Sequence, residues 1–133
     1  MNRLKAVVSS IEGEESLHII GFDYEGLCLK MMGLDLPKGL ALHSHVILSV
    51  KPSHVAIAKN ISGALSYSNQ IPARIASIEN GTLLSSIVLH VKSTEMQSFI
   101  TLSSAQRMDL KVGDEVLLLI KASELFVLEV LDA

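Results

Sequence analysis

Leu4, Ala6 and Val8 alternate with other positions in a period of two, which predicts that the chain opens on a half-buried strand. Gly13–Ser16 predicts a turn and His18–Phe22 a second strand. Asp23-Tyr24-Glu25-Gly26 then returns the chain into Leu27–Met31. Gly33–Gly39, with Pro37, reads as a loop, and Val46–Val50 as an apolar strand with a β-branched bias. Pro52–Val55 predicts a one-turn element, and Val55–Ala58 closes the first half. Residues 59–68 lose the periodicity and carry Asn60, Ser62, Gly63, Ser66 and Ser68, the composition of a linker. Strands follow near 70–79, 83–92, 96–101, 115–121 and 125–130, with a short helical turn around Gln106–Met108. Asn80-Gly81 is the strongest hairpin signal, because both residues tolerate positive φ.

The second half restates the first. Asn2, Ala6, Ser10, Ile11 and Glu12 return as Asn69, Ala73, Ser77, Ile78 and Glu79, each 67 positions on. Both halves close alike, as Lys51-Pro52-Ser53 and Lys121-Ala122-Ser123, 70 positions apart. Two copies are too few for a solenoid, and five short strands with one helical turn suit a small closed sheet. The expected fold is all-β: two tandem OB-like small β-barrels, each with a short helical turn. The first lobe spans 1–58, the linker 59–68 and the second lobe 69–133. Such small lobes bury little core alone, so docking and oligomerisation into a dimer or trimer of two-lobed chains are expected.

Composition narrows the function. The net charge is −3 and no Lys/Arg cluster occurs, so the electrostatic footprint of a nucleic-acid binder is missing. One cysteine, Cys28, cannot build an intramolecular disulfide framework. No apolar run is long enough to span a membrane and no signal-type segment precedes the first strand, so a cytoplasmic protein is expected. No Gly-rich phosphate loop, paired cysteine or supported Ser-His-Asp order is present, so no enzyme is expected.

What recurs is a donor-rich set without acids: Ser66-Tyr67-Ser68-Asn69, Thr101-Leu102-Ser103-Ser104 and Lys121-Ala122-Ser123. Hydroxyls, an amide, an ammonium and loop N–H groups suit a fully deprotonated oxyanion, which offers only acceptors. Monohydrogen phosphate would leave its proton unpaired at such a site. Glu124 follows Ser123, but strand alternation points it to the other face. The plainer reading of the hydroxyl residues is that they cap turns.

Ser66-x-Ser68-Asn69-x-Ile71-x-Ala73-x-Ile75, then Ile100-Thr101-x-x-Ser104, then Leu110-x-Val112-Gly113 and Ile120-Lys121-Ala122-Ser123 resemble a complete molbindin (Mop, or TOBE) domain over residues 66–130. Lobe one resembles the family less closely. Its Leu48–Ile57 segment is also similar to the end of molybdate-importer ATPases. The resemblance implies an OB-like fold and binding of molybdate or tungstate at lobe or subunit interfaces. By motif position the oxyanion contacts fall on Ser66, Asn69, Thr101, Ser104, Lys121, Ala122 and Ser123, with Lys51, Pro52 and Ser53 as the equivalents in lobe one. Three departures stand out. Ser68 replaces a frequent Arg, lobe one lacks the leading Ser-x-Arg, and Cys28–Gly33 holds no Ile-Thr-x-x-Ser. Lobe two is therefore expected to carry most of the binding. The expected function is molybdate/tungstate storage or homeostasis. The alternative is a sensing or interaction module acting with a molybdate-importer ATPase or a transcriptional regulator.

Three other features carry blander expectations. His43-x-His45 on one strand would share a face and could reach a metal, though a solvated face is the simpler reading and no cation site is expected. Cys28 and Met31-Met32 read as core.

Overall fold

The computed structural model describes residues 2–131. Its strands are β1 (Asn2–Glu14), β2 (Leu17–Tyr24), β3 (Leu27–Gly33), β4 (His45–Val50), β5 (Ala56–Ala58), β6 (Asn69–Asn80), β7 (Leu84–Val91), β8 (Thr94–Thr101), β9 (Glu115–Ile120) and β10 (Phe126–Val130). One 3-10 turn, Pro52–His54, and one short helix, α1 (Leu102–Arg107), complete the list. The all-β, two-lobed OB-like expectation holds, with the boundaries shifted at the ends of strands. β1 runs on to Glu14, so the first turn is Glu15-Ser16, with Glu15 at positive φ.

The strands form two five-stranded antiparallel sheets, ordered β10-β4-β1-β2-β3 and β5-β9-β6-β7-β8. Each half lends its last strand to the other. β5 pairs with β9, and β10 pairs with β4. The expected lobe end at 58 follows the chain but does not divide the sheets, and the expected end at 133 lies outside the described residues. The exchange joins the halves by backbone hydrogen bonds and leaves the turns that precede β5 and β10 as crossing points between lobes.

Both lobes bend in the same way. β1 is irregular between Val8 and Ser10, and β6 between Ile75 and Ser77, which are repeat-equivalent places. A bulge of this kind increases local twist and curls a sheet. Gly21 lies against the first of these, and a Cβ there would strike the Ser10 hydroxyl. The hairpin at Asn80-Gly81 exists, but neither residue takes positive φ. Gly81 N–H instead donates to Leu84 O at 2.7 Å across a wider loop. The two-residue turn with both φ positive is Glu25-Gly26.

One apolar cluster runs through both sheets, with Leu4, Val8, Ile20, Phe22 and Leu48 from the first and Ile71, Ile75, Ile87, Leu89 and Leu118 from the second. The hairpin tips also join. Tyr24, 1% exposed, donates its hydroxyl to Val91 O at 3.0 Å, and its oxygen accepts from the Thr94 hydroxyl at 2.6 Å. Burial raises the phenol pKa above its usual value, which keeps this donor protonated. Next to it, Glu25 accepts from the Ser93 hydroxyl at 2.6 Å, and that bond lowers the carboxyl pKa. Lys59, at the start of the linker, is held to lobe two by Asp114 at 3.0 Å, which lowers the Asp114 pKa.

Candidate functional site

The two Lys-x-Ser segments sit at the crossing points. Val50 ends β4 and Ile120 ends β9, and the chain must then turn to reach the other sheet. Pro52 holds the residue before it extended, and Lys51 has φ −65° and ψ 138°. His54 N–H closes the first turn on Lys51 O at 2.8 Å, and Glu124 N–H closes the second on Lys121 O at 3.0 Å. Lys51, Ser53, Lys121 and Ser123 are exposed, whereas Pro52 and Ala122 are half-buried beneath them.

Each turn lies on the edge strand of the opposite sheet. Met32 N–H of β3 donates to Ala122 O at 2.9 Å. The 3-10 turn packs on β8, where the buried Ser98 hydroxyl donates to Val55 O at 2.6 Å. Two asparagines fasten these seams. Asn69 accepts from Lys30 N–H at 2.7 Å and donates to Lys30 O at 2.9 Å. Asn2 does the same with Gln97, accepting from its N–H at 2.7 Å and donating to its O at 3.0 Å. Asn2 pairs with Val50 and Asn69 with Ile120, so each clamp lies one residue before a Lys-x-Ser turn.

The structure regroups the expected site residues. The sequence places Thr101, Ser104 and Lys121–Ser123 together in lobe two. The strand exchange instead lays the Lys121–Ser123 turn against β3, while the Pro52–His54 turn packs on β8, the strand that ends at Thr101 just before Ser104 in α1. Ser66 is exposed, three residues ahead of Asn69. Asn69 is 1% exposed and its amide is taken up by Lys30, so we read it as a clamp between the lobes. Thr101 also has a structural task. Its hydroxyl caps α1 by accepting from Ser104 N–H at 3.1 Å, and it donates to Ser104 Oγ at 2.9 Å. Arg107, three residues on, donates to Ser104 Oγ at 3.2 Å and adds a cation that the sequence reading missed. The i,i+3 spacing on a short helix was the available signal.

Other expectations are corrected. Glu124 does not point away. A turn, not a strand, holds it, and its Oε2 lies 2.6 Å from Nδ1 of His54. His43 precedes β4 in a turn with φ 70°, so it does not share a strand face with His45, and no cluster of three metal-ligating side chains occurs among the described residues. Cys28 and Met32 are exposed on β3, because that strand is a sheet edge with only one covered face, whereas Met31 is in the core as expected.

Comparison with known proteins fits this architecture. Residues 65–127 match the TOBE domain model. The fold superposes on the cytoplasmic molybdate-binding protein ModG, solved with molybdate bound, with a TM-score of 0.89 at 25% identity over 95% of this chain and 94% of that one. The chain belongs to the molbindin (TOBE) family. A molybdate-binding protein from Sporomusa ovata is 37% identical over 50% of this chain and all of its own length, with a TM-score of 0.49. The molybdenum import ATP-binding protein ModC of Brucella abortus (strain 2308) is 33% identical over 85 residues, 63% of this chain and 24% of its own. The chain thus spans about a quarter of the length of that relative.

Proposed function

We propose that this chain binds molybdate or tungstate and holds it for storage or homeostasis in the cytoplasm, as a binding protein and not an enzyme. The observation that carries the reading is the likeness, over 95% of the chain, to ModG with molybdate bound. The geometry agrees in kind. Each turn offers one ammonium and one serine hydroxyl, exposed and rigidly based, beside the edge strand of the other lobe. Lys51, Pro52 and Ser53 work with Thr101 and Ser104, whereas Lys121, Ala122 and Ser123 work with Ser66. No helix among the described residues is long and apolar enough to cross a membrane.

The assembled form we propose is a dimer or trimer of two-lobed chains. Support comes from exposed apolar residues on the β2–β3 and β7–β8 sides of both lobes. Leu84 and Phe99 have repeat equivalents in Leu17 and Met32, all four exposed. Such matched patches suit contacts between copies.

Calorimetric titration with four anions tests the reading. Molybdate and tungstate, similar tetrahedral dianions, bind with comparable affinity. Sulfate, smaller, binds more weakly because it leaves the donors stretched, and phosphate does not displace molybdate. Displacement of molybdate by phosphate at equal concentration contradicts a donor-only site. The likeness to ModC favours a second reading, an interaction module for a molybdate-importer ATPase. A chain that takes up no oxyanion yet co-elutes with such an ATPase decides for that alternative.

A further inference from the structure

The two Lys-x-Ser turns touch through one pair of side chains. His54 follows Ser53, Glu124 follows Ser123, and the two positions are 70 apart, as are Lys51 and Lys121. An imidazole on one turn therefore faces a carboxylate on the other across the pseudo-twofold, with Nδ1 2.6 Å from Oε2. The backbone that bears each side chain is fixed, because each turn is closed by its own main-chain bond at His54 and Glu124. Both are partly shielded, with side chains 39% and 38% exposed.

The placement matters because of charge. Glu124 is the one acid within the two turns, adjacent to a serine that the proposed function assigns to a dianion. An unmatched carboxylate there opposes every acceptor-only ligand, and its effect outlasts hydrogen-bond range. The other charged groups in the turns are Lys51 and Lys121. Among the packed strands, Glu95 of β8 has the opposite strand parity to Ser98, which faces the 3-10 turn, and Lys30 of β3 is exposed.

We propose that His54 is a positioning residue for oxyanion binding: it holds the Glu124 carboxylate to itself and so keeps that charge from the anion at Ser53 and Ser123. The inference rests on the oxyanion reading above. It differs from a simple fastening of the turns, because a fastening needs both partners, whereas a mask is needed only while Glu124 is charged.

Molybdate titration at one fixed pH separates the two roles in the wild type, His54→Gln, Glu124→Gln and the double variant, with melting temperatures recorded alongside. The mask predicts that His54→Gln weakens molybdate on the order of tenfold. Glu124→Gln binds at least as tightly as the wild type, and adding it to His54→Gln recovers the loss. Equal losses in both single variants without recovery in the double overturn the proposal, as does unchanged affinity in His54→Gln. A wild type that binds no molybdate brings down the oxyanion reading itself, and the role of His54 with it. A wild type that binds while His54→Gln is indifferent overturns only the mask.

Discussion

Asn69→Leu lowers the melting temperature by roughly 10 °C, the largest effect on stability expected of any polar substitution here. Asn69 is 1% exposed, and its amide both accepts from and donates to the backbone of Lys30 in the other lobe. Leucine is close in volume but offers neither function, so an N–H and a C=O lose their partners in a partly dry seam. Each such group costs about 1–3 kcal/mol. Two together cost about 2–6 kcal/mol, and for a chain of this length each kcal/mol moves the midpoint by about 3–5 °C. Circular dichroism followed with temperature reads this directly. The repeat-equivalent Asn2→Leu, which unpairs Gln97, loses a comparable amount. A melting temperature within a degree or two of the wild type in both variants contradicts the clamp.

Lys51→Ala and Lys121→Ala each weaken molybdate about ten- to a hundredfold at the site they serve. A charge-assisted hydrogen bond to a dianion is worth about 1.5–3 kcal/mol, and about 1.4 kcal/mol is a factor of ten. Both side chains are exposed, so the melting temperature without ligand stays unchanged. The Pro52–His54 turn packs on β8, which ends at Thr101, so we expect Lys51→Ala to cost at least as much as Lys121→Ala. The sequence by itself points the other way, because it groups Lys121 with Thr101 in one lobe. Titration calorimetry on the two variants decides, and undiminished affinity in both leaves the interaction-module reading ahead.

The repeat of Asn2–Glu12 in Asn69–Glu79 made the two lobes legible, and period-two alternation made their strands legible. The exchange of β5 and β10 was hidden, because Ala56–Ala58 and Phe126–Val130 carry the same apolar pattern whichever sheet receives them. That hidden step is what moves Lys51–Ser53 onto β8 and Lys121–Ser123 onto β3. Local misreadings have local causes. Glu124 was placed by strand alternation, but a turn closed at Lys121 O breaks the alternation and sends the side chain to His54. Asn69 carries the donors expected of a ligand contact, yet its place at the head of a central strand buries it against Lys30. Thr101-x-x-Ser104 was legible both as a helix cap and as a ligand motif. The cap is made within the chain, and the hydroxyl of Ser104 also meets Arg107.

The most direct test of the account is a crystal structure of the chain with tungstate, located by anomalous scattering. The account predicts a tungsten peak at the lobe seam, its oxygens within about 3 Å of donors from Lys51–Ser53 or Lys121–Ser123. A peak away from both turns, or none at saturating tungstate, contradicts it.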